Sequence, residues 1–238
     1  TVRPAGEFDM QRITLLSLIA AGLVSAALPA SAGGPAKGGL SCDERSFTPD
    51  NSTLRPGRTI GPARVQAYFQ GARQDCPESL AACSDTASIM PGEALLLGAA
   101  RAGYVCAIFA DGPEARAGWI AQRRIAAAPR PVDPGPPLAA WLGRWRQYDN
   151  RIALTRAGGR IAADGQAYWP GKSIMPANEG AFSGSASPSG RRLHIAAGLC
   201  EVDMTLAGYF LFAEDNRMCG GHNASFTGIF IRRPDAPR

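Results

Sequence analysis

Side chains able to do acid–base or nucleophilic chemistry are few and scattered in this chain. Two histidines, His194 and His222, occur among 238 residues. A serine, threonine or cysteine nucleophile needs a positioned base. No Gly-x-Ser-x-Gly elbow precedes either histidine. His194 sits in Leu193-His194-Ile195-Ala196, which reads as a strand. Glu201 and Asp203 would have to share one strand face to act as a glycosidase pair, an unconvincing platform. No phosphate-cradling or dinucleotide-binding glycine fingerprint is present. No Cys-x-x-Cys pair occurs, and the histidines lie far from zinc-ligand spacing. The sequence predicts no catalytic residue, no metal site and no cofactor.

The densest polar cluster spans residues 214–228 and lies between two apolar runs, so it reads as a loop. Gly220-Gly221 permits positive φ and tight turning. Asp215, His222 and Asn223 are its candidate ligand contacts. The alternative is a purely structural turn, stapled by Cys219 and capped by those polar residues.

The six cysteines are Cys42, Cys76, Cys83, Cys106, Cys200 and Cys219, an even count that suggests disulfides in an exported chain. Their simplest pairing joins Cys42 with Cys106, Cys76 with Cys83, and Cys200 with Cys219, although spacing alone does not fix connectivity. Export is predicted from the apolar run at residues 13–28, which follows Met10-Gln11-Arg12 and ends at Pro29 and Ala30-Ser31-Ala32. This is the order of a secretory signal peptide, with cleavage after Ala32. The predicted leader is residues 1–32, followed by a flexible stretch at 33–41. A membrane anchor is the alternative, but the run falls short of the roughly 20 apolar residues of a span. A lipoprotein attached at Cys42 is a third reading. There, however, Gly39 stands where an aliphatic residue is expected. The predicted location is periplasmic or secreted, with no span after cleavage.

Five prolines crowd residues 129–137, which read as a semi-rigid linker between two domains, 42–128 and 138–238. Residues 40–128 carry nine arginines and nine acids, whereas residues 138–238 carry twelve basic and eight acidic residues. The second half is mildly basic and suits an anionic partner or an ordinary solvated surface. No run of five like charges marks a nucleic-acid site.

Short apolar runs separated by glycine-containing turns fill both halves, so the fold class is all-β. In the first half the order is Gly92, Leu95-Leu96-Leu97, the run 104–108, Gly118-Trp119-Ile120 and Ile125. Across residues 84–128 this resembles bacterial SH3 domains. The family's usual Asn-Val-Arg-x-Gly-Pro front is replaced by a segment from Cys76 to Cys83. The resemblance implies a small barrel that binds cell-wall peptides or proteins without catalysis, with Tyr104 and Trp119 as aromatic contacts. Core packing of both is the other reading.

The second half holds seven or eight short strands, the pattern of a barrel or sandwich. Gly143-x-Trp145 resembles the opening of lipocalin-type barrels. That resemblance implies that Trp145 plugs one barrel end, with Arg232 or Arg233 packed over it. In scale the domain is also similar to periplasmic lysozyme inhibitors. The expected function is binding at the bacterial cell envelope, to cell-wall polymer or to an envelope protein, by a monomer. Inhibition of a lytic enzyme and carriage of a small apolar ligand are the alternatives.

Overall fold

Alternation of apolar and polar residues organises two antiparallel sheets. The computed structural model describes residues 41–48, 54–71, 73, 75–128, 135–171 and 176–233. The predicted signal peptide, nearly all of the 33–41 stretch and most of the proline-rich linker lie outside these residues.

The first sheet contains β1 (Arg55–Thr59), β2 (Val65–Tyr68), β3 (Thr86–Ile89), β4 (Ala94–Arg101), β5 (Tyr104–Asp111), β6 (Glu114–Ala121) and β7 (Ile125–Ala127). Their order is β3-β2-β6-β5-β4-β1-β7. Tight turns join β4 to β5 and β5 to β6, with positive φ at Gly103 and Gly112. A register shift between Leu97 and Ala100 bends β4. A 3-10 turn, Gln122–Arg124, leads β6 into β7, which pairs with β1. Leu95, Leu97, Val105, Ala107, Phe109 and Ile120 form a core on one face.

The second sheet follows a one-turn helix, α1 (Leu138–Trp141). It contains β8 (Gly143–Gln147), β9 (Asn150–Ala157), β10 (Arg160–Trp169), β11 (Asn178–Ala186), β12 (Arg192–Ala197), β13 (Cys200–Ala207), β14 (Phe210–Asp215) and β15 (Gly228–Arg233). Consecutive strands pair as a meander, except that β11 and β12 form the two ends of the ladder and lie side by side. β15 returns to pair with β8, so the sheet is a nearly closed eight-stranded barrel.

Side chains fill the barrel interior. Trp141, Trp145, Phe182, Met204, Phe226 and Phe230 belong to one buried cluster. Gly165 pairs with Phe182 across β10 and β11, and a Cβ at 165 would lie 2.1 Å from the Phe182 ring. The ring occupies the space that a side chain would take, and a glycine there lets a barrel strand bend. At one end the Trp145 indole N–H donates to Trp141 O at 3.0 Å. The Arg232 guanidinium lies 4.7 Å from the Trp145 ring centre and donates to Ala140 O. Desolvation lowers the Arg232 pKa from its ordinary value, with Tyr209 acting in the opposite sense. It is therefore Arg232 that covers the plug.

The outer faces of β14 and β15 are also buried. Phe210, Phe212, Ile229 and Ile231 join Leu96, Cys106, Ile108, Ala117 and Trp119 of the first sheet in a shared cluster. The segment 41–47 contributes Cys42 and Phe47 to it. That segment holds a 3-10 turn, Glu44–Ser46, capped by Asp43 Oδ1, which accepts from Ser46 N at 3.0 Å. The described residues form one compact unit.

Three disulfides close, Cys42–Cys106, Cys76–Cys83 and Cys200–Cys219, the same pairs as in the simplest pairing. Disulfides of this number belong to an oxidising compartment outside the cytoplasm. Cys42 is held by Cys106, so its thiol is not available for a lipid. No helix among the described residues is long and apolar enough to cross a membrane.

Phe210 is 2% exposed within the shared cluster. Phe210→Ala is expected to cost about 3–5 kcal/mol. Urea unfolding should show a lower midpoint by tryptophan fluorescence, and near-ultraviolet dichroism should report the same midpoint.

Candidate binding site at the loop end of the barrel

The first-sheet aromatics do not form a site. Trp119 is fully buried, and its indole N–H donates to Gln70 Oε1 at 3.0 Å. The Arg101 guanidinium lies 5.2 Å from its ring centre. Arg101 in turn contacts Cys76 O and lies 3.0 Å from Glu78, so the segment closed by Cys76–Cys83 holds the cover in place. Trp119 as an exposed ligand contact is thus corrected: it is buried, with Gln70 and Arg101 against its ring. Tyr104 is half-buried, its ring edge-on to Tyr68 at 6.0 Å, and it packs against the cluster that holds Trp119, on the first sheet.

Asp215 is also corrected from a contact to a support. It continues the inward parity of Leu211 and Ala213 at the end of β14 and is buried. Its Oδ1 accepts from Ser225 Oγ at 2.8 Å and from Thr227 Oγ1 at 3.0 Å. Its Oδ2 accepts from Phe226 N at 2.9 Å. One carboxylate therefore organises the return of the 216–227 loop into β15.

The same loop is tied down along its length. Asn216 Oδ1 accepts from Glu201 N at 3.2 Å, and its amide donates to Leu199 O at 2.8 Å. Cys219 is bonded to Cys200. Ala181 N donates to Cys219 O and Gly221 N donates to Glu179 O, each at 3.0 Å. Gly220 lies on Gly180 so closely that a Cβ at 220 would meet the Gly180 Cα at 2.4 Å. Asn150 braces the other side, donating to Ser225 O at 3.0 Å and accepting from Tyr168 N at 2.8 Å.

The meander puts the 148–149, 198–199 and 216–227 connections, together with the C-terminal end of β10, at the barrel end opposite the Trp145 plug. His222 and Asn223 are exposed there and line an open cleft of about 550 Å³ with Trp169, Arg217, Ser225 and Thr227. Asn223 has φ of 65°, a conformation that asparagine tolerates. Trp169 is 41% exposed, and Tyr148, Tyr168, Leu199 and Met218 are exposed at the same end. An aromatic-rich, exposed surface of this kind is typical of interaction sites.

Trp169 and Arg217 are the site residues that the sequence reading missed. Trp169 has the inward parity of Ile161, Ala163 and Ala167 but lies at the barrel mouth. A signal was present: two adjacent aromatics, Tyr168 and Trp169, close a strand just before a turn.

His194 lies elsewhere, on the exposed outer wall, with Nδ1 2.9 Å from Asp203 Oδ1 across the β12–β13 pair. Such an exposed pair contributes little to stability. In the cleft, the Ser225 and Thr227 hydroxyls are committed to Asp215 rather than to His222. Among the described residues no group of three His, Cys, Asp or Glu side chains is placed to hold a metal.

Asp215→Ala removes the acceptor for one backbone N–H and two hydroxyls. Hydrogen bonds to a charged group contribute roughly 1.5–3 kcal/mol each, and a buried N–H left unpaired costs a similar amount. The expected result is a lower unfolding midpoint, with faster amide exchange confined to 216–227.

Comparison with known proteins returns no match: no family model fits the chain, and no curated protein or solved structure corresponds to it.

Proposed function

We propose that this is an exported, non-catalytic binding protein of the bacterial cell envelope. It engages peptidoglycan or an envelope protein through the loop end of its barrel. The observation that carries this reading is the cleft in which exposed Trp169, Arg217 and His222 converge on a loop fixed by a disulfide and by Asp215. A rigid rim loses little freedom on binding. Its aromatic face and the Arg217 guanidinium suit a saccharide ring bearing a carboxylate, or an acidic protein surface.

The two resemblances support the same class. Strand order and the 3-10 turn before β7 are consistent with a bacterial SH3-like module. The stacking of Arg232 on Trp145 is consistent with a lipocalin-type barrel. The filled interior does not favour carriage of an apolar ligand. Lytic-enzyme inhibition is favoured by one feature, the stapled loop that presents exposed Arg217 and Met218.

Retention of the full chain on purified sacculi at low salt tests the proposal. Trp169→Ala and His222→Ala should each lower retention about tenfold, equivalent to ~1.4 kcal/mol. Their unfolding midpoints should stay near that of the parent. Absence of retention by the parent rules out wall binding. Slowed lysis in a lysozyme assay would then favour inhibition.

A further inference from the structure

A second recess lies where the barrel's outer wall meets the first sheet. It measures about 480 Å³, a size suited to a small ligand. Phe47, Phe212 and Ile229 supply apolar lining, and Tyr148, Glu44 and Glu214 add polar groups. Pockets at the junction of two packed units, apolar with a few polar groups, are common ligand sites.

The charges of this recess favour one sign. Glu44 and Glu214 line it, with Arg45 as the opposing charge; Glu44 Oε1 also accepts from Ala117 N at 3.1 Å, which fixes that carboxylate in place. Glu114 and Arg116 are also near enough to act on Tyr148. Arg116 is occupied, 2.9 Å from Asp111 and stacked 3.7 Å from the Phe69 ring centre. Desolvation first, then Glu114 and Glu44, raises the Tyr148 pKa above its ordinary value.

Tyr148 is itself unusual. It opens the two-residue β8–β9 turn with φ of 52° and is 57% exposed. Bulky side chains rarely occupy that region, and glycine is the residue that suits it. An exposed aromatic held in a costly conformation beside a cavity points to a role in binding.

We propose that this recess is a second binding site, which takes a small organic ammonium with an apolar body. The hydrocarbon part lies against Phe47, Phe212 and Ile229. The ammonium meets the Tyr148 ring and the carboxylates of Glu44 and Glu214. A ring face attracts such a cation, and carboxylates add to that attraction. This recess adjoins the loop-end cleft, with Thr227 lining both, but the proposal rests on its own side chains and not on the function proposed for that cleft.

Titration calorimetry with phenethylammonium, 2-phenylethanol and 3-phenylpropanoate tests the proposal on the full chain. The ammonium should bind at least tenfold more tightly than the alcohol, and the carboxylate should bind least. Tyr148→Gly should raise the unfolding midpoint yet weaken phenethylammonium at least fivefold, whereas Tyr148→Phe should retain binding. Glu44→Gln with Glu214→Gln should abolish the preference for ammonium over alcohol. Equal affinity for the three probes would overturn the proposal. So would a Tyr148→Gly protein that is less stable and binds as the parent does, because the ring would then serve only the fold.

Discussion

Phe210, Phe212, Ile229 and Ile231 point away from the barrel interior, yet all four are buried. Burying a large apolar side chain contributes about 1.5–3 kcal/mol. Four of them supply roughly 6–12 kcal/mol, comparable with the whole net stability of a typical domain, about 5–15 kcal/mol. Exposing this face would therefore forfeit most of the stability available. The first sheet is the cover for that wall, and the wall is the cover for Leu96, Ile108 and Trp119 in return. The recess beside Tyr148 exists only because the two surfaces meet.

That constraint is written in the sequence, in the difference between strands. Residues 201–206 alternate polar with apolar, and β13 indeed exposes its outer residues Glu201 and Asp203 to solvent. Residues 209–212 and 229–231 do not alternate; both faces of β14 are buried from Phe210 to Ala213, as are Ile229, Phe230 and Ile231 on β15. An uninterrupted apolar run in a barrel strand means that something covers the outer wall. Leu95-Leu96-Leu97 carries the same message in the first sheet, where 95 and 97 face one core and 96 the other. The strands and the all-β class were legible because they depend on local period. What covers Trp119 was not, because it depends on where Gln70 and the Cys76–Cys83 segment come to lie, which no local pattern specifies.

The 214–228 cluster shows how composition misleads where parity informs. Asp215 stands among polar neighbours, which suggests exposure. Counting by two from Leu211 places it inside, where a carboxylate must find donors, and it finds three. Counting by two from Ile161 places Trp169 on the inward face, but at a mouth too far from the core to be covered. The same rule therefore assigns one residue to support and the other to the rim. Only the length of each strand relative to the barrel separates these outcomes.

Charge is organised locally in this molecule rather than by net balance. The chain carries a formal charge of +5, which suggests anionic partners throughout. Yet Arg217 lines the loop-end cleft, whereas Glu44 and Glu214 line the junction recess. Several arginines have structural tasks that remove them from recognition: Arg232 covers Trp145, Arg101 covers Trp119, and Arg116 pairs with Asp111. A basic chain can therefore present a recess lined mainly by carboxylates, because several of its arginines are engaged within the fold.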